Sequence, residues 1–94
     1  MEKLTDINQL KRGDRFTNIK ADGFNEYEFL CIHPHNPEYI LAIDGLTQNA
    51  PKLYINNIVK ENSNYYVGSF DSSFVTKKRI ELLKERISRL ENRL

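Results

Sequence analysis

Glu26-Tyr27-Glu28-Phe29-Leu30-Cys31-Ile32-His33 decides the fold class. The run opens on polar–aromatic alternation and continues into aromatic and β-branched residues, a composition that suits a pleated, half-buried surface better than a helix. Pro34 and Pro37 close it, because proline has no amide proton to give to a sheet ladder. Upstream, Arg15–Ala21 is a shorter strand, joined to the first run through Asp22-Gly23, a turn signal. Downstream, Glu38–Ile43 is the next strand, stopped by Asp44-Gly45, and the polar stretch Leu46–Lys52 with Pro51 is a loop. Leu53–Lys60 is predicted as a fourth strand and Tyr65–Phe70 as a fifth, with Glu61–Asn64 as the turn between them. Near the start, Thr5 or Asp6 caps a single turn carrying Leu4, Ile7 and Leu10, which Gly13 ends and which covers one open end of the strands.

Five short strands with brief turns predict a mainly β head, either a small antiparallel barrel or a meander. In Phe29-Leu30-Cys31-Ile32 both faces are apolar, as expected where a strand bends or is covered on both sides. The entry Leu10-Lys11-Arg12-Gly13-Asp14-Arg15-Phe16 resembles that of many SH3-like barrels, where a Gly-Asp turn feeds the first strand. That resemblance covers seven residues and implies a fold only.

The C-terminal segment has a different period. Ile80, Leu83, Ile87, Leu90 and Leu94 are spaced three, four, three, four. This is a heptad seam, with Ile80, Ile87 and Leu94 at a and Leu83 and Leu90 at d. Asp71, Ser72 and Ser73 offer N-cap oxygens, and neither Gly nor Pro follows Val75. Residues 1–71 are therefore expected to form the head and residues 72–94 an oligomerising coiled-coil helix. Arg86 at g and Glu91 at e are placed to pair between parallel neighbours. Arg86-Ile87-Ser88-Arg89-Leu90-Glu91 is also similar to a known trimer-favouring signature: Arg, apolar, two free positions, apolar, Glu. Ile at a with Leu at d pulls instead toward two strands. The expected partner is first of all the chain itself, a parallel homotrimer ahead of a homodimer. A helix folded back onto the head is the alternative.

Composition narrows the classes without naming a function. The chain has 94 residues, 39% hydrophobic and 29% charged, enough for one domain with a core. It contains no apolar run approaching the ~20 residues of a membrane span, and its first residues lack the apolar core of a secretory signal. Cys31 is the sole cysteine, so an internal disulfide is excluded and a reducing, cytoplasmic location is expected. Residues 1–75 carry seven Lys/Arg against ten Asp/Glu, whereas residues 76–94 carry seven against three. A mildly acidic head bearing a basic helix implies two surfaces with different tasks.

Candidate chemistry is sparse. Cys31, His33 and His35 alternate, and with Glu38 or Asp44 they would make a zinc ligand set on an unbroken strand. Pro34 interrupts that alternation, which favours a buried cysteine and two loop histidines. Glu26 and Glu28 read as a solvated strand face, and the glycines are isolated, with no phosphate-cradling loop. Arg12-Gly13-Asp14 reads as a turn. No catalytic residue, metal or cofactor is therefore expected, and the chain is not expected to be an enzyme.

Aromatic and basic residues carry the functional expectation. Tyr27, Tyr39, Tyr54, Tyr65 and Tyr66, with Arg12 and Arg15, form the candidate binding surface, since Tyr and Arg are favoured interface anchors. At Tyr65-Tyr66 the two rings point to opposite faces, so one is expected to be exposed. The expected function is a small oligomeric adaptor, regulator or inhibitor that presents several copies of this surface to an unidentified protein partner. Abundant Asn, Ile and Lys hint at an AT-rich, bacterial or phage genome. The alternative is an oligomer that binds nucleic acid or a nucleotide, with Lys11, Arg12, Arg15, Lys52 and Lys60 holding phosphates beside stacked aromatics.

Overall fold

The computed structural model describes residues 2–69 and 72–93, with backbone alone at residues 72 and 75. The proposed caps Asp71 and the Ser72 side chain, the strand end at Phe70 and the last a position, Leu94, lie outside the described residues. The rest forms five strands, β1 (Arg15–Lys20), β2 (Gly23–Ile32), β3 (Tyr39–Asp44), β4 (Lys52–Tyr54) and β5 (Tyr65–Val67). Two helices accompany them, α1 (Ile55–Val59) and α2 (Ser72–Glu91). The strands make one antiparallel sheet in the order β4-β3-β2-β1-β5. It is an open sheet: β4 and β5 stand at opposite edges and do not pair.

The long central strand is the one the sequence marks most clearly, and it starts three residues earlier than expected. Asp22-Gly23 makes a tight hairpin, with Lys20 opposite Gly23. The β2–β3 register shifts between Phe29 and Cys31. That irregularity accounts for the apolar run Phe29–Ile32: Phe29 is buried, Leu30 is half-buried, and Cys31 and Ile32 are exposed. The expectation of a buried Cys31 is thereby corrected.

The expected fourth strand is also corrected. Leu53–Lys60 pairs only as far as Tyr54 and then turns into α1. Ile55, Ile58 and Val59 have helical i, i+3, i+4 spacing, and Ile58 is 1% exposed against the core. The helix stops at Lys60, and the buried Ser63 hydroxyl donates to the Ile58 carbonyl (2.6 Å), satisfying one of the orphan acceptors at the helix end.

One face of the sheet holds the main core. Phe16, Phe29, Ile40 and Ala42 are buried under Leu4, Leu10 and Ile58. Each fully buried large aliphatic or aromatic side chain contributes about 1.5–3 kcal/mol. The N-terminal turn lies where expected, as a 3-10 turn over Ile7–Gln9 capped by the Asp6 carboxylate, which accepts from the Asn8 amide at 2.9 Å. Just before it, the Leu4 amide donates to the Tyr65 carbonyl and the Val67 amide to that of Glu2, which shields the outer edge of β5. Gly13, at φ 92°, follows in a turn where only glycine is unstrained, and its amide donates to the Phe29 carbonyl at 2.8 Å.

The other face carries a second, smaller core. Ile19 and Tyr66 are buried there, with Phe74 and Leu82 of α2 packed against them. Helix α2 is 20 residues, about 30 Å long at 1.5 Å per residue, in a molecule measuring 48 × 26 × 24 Å.

Candidate functional site

Consecutive residues of an α-helix stand about 100° apart, and α2 uses this to present two apolar sides. Phe74 and Leu82 share a row with Lys78 and face the sheet. The Tyr66 and Phe74 rings meet edge to face at 5.8 Å, and the Lys78 ammonium lies 5.5 Å from the Tyr66 ring centre. Lys78 is also 3.3 Å from the Glu81 carboxylate. The Tyr66 side chain first, and Glu81 after it, raise the Lys78 pKa above its ordinary value. The heptad positions are left uncovered by this contact: Ile80, Leu83, Ile87 and Leu90 remain 46%, 41%, 54% and 54% exposed. Helix α2 thus packs on its own head with one side while the seam stays open on another. Arg86 and Glu91 flank that seam, both exposed.

Beyond Leu82 the sheet-facing side of the helix changes character. A groove of about 530 Å³ opens between the end of α2 and the β1 hairpin, with Ile19 and Leu82 in its lining. Lys20 contributes from the hairpin, and Arg86, Arg89 and Arg93 from the helix. Asn18 and Asn64 complete its polar lining. No carboxylate is part of the described lining, and none of the four cations is ion-paired among the described residues. Arg86 and Leu90 border both the groove and the seam. Periodicity marks the seam from sequence; the groove is missed because Lys20 and Arg93 are 73 residues apart in the chain.

The seven residues of the expected binding surface do not gather in one place. Tyr27 stacks on Phe16 (5.2 Å between ring centres, 21° between planes), with Tyr65 at 6.1 Å from the same ring, so both are half-buried on the main-core face. Burial raises the pKa of both phenols, Tyr65 to about 12. Tyr66 is 8% exposed beneath α2. Tyr39 and Tyr54 face each other across the β3–β4 ladder at 5.3 Å, and the Lys52 ammonium lies 4.6 Å from the Tyr39 ring centre. That cluster is a half-exposed aromatic patch on the β4 edge. Arg12 is exposed in the turn before β1, and Arg15 lines a small hollow of about 180 Å³ with Glu26, Tyr27 and Glu28.

The Cys31, His33 and His35 set does not come together as ligands. His33 Nδ1 accepts from the amides of His35 and Asn36, both at 3.1 Å, and so shapes the β2–β3 turn. No cluster of three or more metal-ligating side chains occurs among the described residues. Asp44 acts in a similar local way: the amides of Thr47 and Leu46 donate to its carboxylate and lower its pKa. No helix among the described residues is long and apolar enough to cross a membrane. Compared with models of protein families, curated proteins and solved structures, the chain matches none.

Proposed function

We propose that the chain is a small, non-enzymatic binding protein that assembles through the α2 seam and presents several copies of its β head to a protein partner. The observation that carries this reading is the division of labour on α2. The residues that hold it to the head are Phe74 and Leu82, while Ile80, Leu83, Ile87 and Leu90 stay uncovered in coiled-coil register. A single chain gains nothing from four exposed large aliphatics in a narrow stripe, whereas two or three chains bury them together. The g–e pair Arg86 and Glu91 supplies the charge complementarity of a parallel assembly and favours a trimer.

For each head, the patch of Tyr39, Tyr54 and Lys52 is the contact surface favoured for a protein partner. Two rings and a cation on a fixed ladder cost little ordering entropy on binding. Several such patches on one assembly raise avidity without new contacts. The head itself reads as an opened SH3-like barrel, because β5 returns to the free side of β1 after a short helix, in keeping with the Gly-Asp entry turn.

Native mass spectrometry tests the assembly. The expected mass is that of three chains, with two as the next outcome, and the double substitution Ile87→Asp with Leu90→Asp is expected to give monomers with an intact sheet by circular dichroism. A monomeric wild-type chain, or a double variant of unchanged mass, refutes the seam. Tyr54→Ala is expected to abolish capture of the partner by an assembled protein.

A further inference from the structure

The groove between α2 and the β1 hairpin shares only Arg86 and Leu90 with that reading, and it has the chemistry of an anion site. We infer that it binds the phosphodiester backbone of duplex nucleic acid, independently of base sequence. Four cationic residues line it, Lys20, Arg86, Arg89 and Arg93, with no described carboxylate in the lining to neutralise them. The overall charge of +1 shows that this concentration is local and not a property of the whole surface. One of the four comes from the strand and three from the helix segment, so the cluster exists only because α2 docks through Phe74 and Leu82.

The occupant follows from spacing and from the lining. Arg86 and Arg93 are seven residues apart, about 10 Å along the helix. A duplex offers about six phosphates over that distance and a single strand about three, so only the duplex has a phosphate for each of the four cations. No aromatic ring is part of the described lining, and the described residues provide none of the base stacking that single-strand binding relies on.

The test is fluorescence anisotropy with a labelled mixed-sequence DNA duplex two helical turns long and the full chain. Four neutralised phosphates give a slope of about −3.6 in log K against log salt, so affinity is expected to fall ~150-fold between about 50 and 200 mM salt. The triple variant Lys20→Gln, Arg89→Gln, Arg93→Gln spares Arg86 and hence the seam. It is expected to keep the wild-type native mass while its remaining affinity changes only about 3- to 4-fold over the same salt range. Lys77→Gln with Lys84→Gln, which removes charge from another side of α2, is expected to bind like wild type. Absence of duplex binding at low salt overturns the inference, as does a triple variant that binds like wild type or an equal loss in the double variant. Tighter binding of an equally long single strand refutes the duplex assignment, and displacement of the duplex by an equimolar nucleoside triphosphate refutes a backbone site. Because native mass is read separately, loss of DNA binding with an intact oligomer is distinguishable from failure of the seam.

Discussion

Tyr65 and Tyr66 are neighbours in sequence with opposite environments, and each has a consequence that one side chain carries. Tyr65 rests beside Phe16, where burial first and the Tyr27 phenol after it push its pKa to about 12. A folded-state pKa above the unfolded value of 10.0 favours the neutral phenol. The stability it confers is complete below pH 10, then lost as pH rises from there through about 12, because the unfolded chain ionises first. Tyr65→Phe is expected to remove the last step of a phenolate absorbance titration and to flatten the loss of thermal stability over that window; an unaltered titration would place the late step elsewhere. The opposed facing of the two rings is legible in the sequence, since adjacent strand residues alternate. The burial of Tyr66 is not, because its cover is α2, which arrives from outside the sheet. Cys31 is misread for a related reason: the register shift after Phe29 turns an apolar-looking position outward, and nothing in the local composition announces a bulge.

At the level of elements, strong local patterns prove legible and mixed ones do not. The strands β1 to β3 and the N-terminal turn follow from composition and clear turn signals, and α2 follows from its period. Leu53–Lys60 carries β-branched residues at positions that also fit a helical face, and packing of Ile58 into the core decides for α1. For α2 the seam is legible as a period, while the docking side is not, since Phe74 and Leu82 fall outside the heptad. That docking rests on two half-buried side chains, so it is weaker than a core contact. Phe74→Ala is expected to cost about 1–2 kcal/mol, below the ~3–5 of a fully buried phenylalanine. Amide hydrogen exchange checks it: α2 should exchange faster while β1–β3 keep their protection, and uniform acceleration would mean that helix and sheet open as one unit.

The whole molecule joins a compact head to a 20-residue helix that lies over a limited part of it. Such a helix has little stability of its own, and a head of this size buries a modest fraction of its surface. The assembly proposed through the seam would therefore add to the stability of the folded chain by mass action. The thermal midpoint is expected to rise with protein concentration in the wild type and to be independent of it in Ile87→Asp with Leu90→Asp; a midpoint flat in both would separate folding from assembly. What links the two sides of α2 is a count of residues. Leu82 meets the sheet and Leu83 meets the seam, and their phase is fixed by adjacency alone. One residue inserted or deleted between Lys78 and Leu82 would swing everything beyond it by about 100°, turning groove arginines and seam leucines out of alignment with their places. In genetic terms, this stretch tolerates exchange of letters far better than a change in their number.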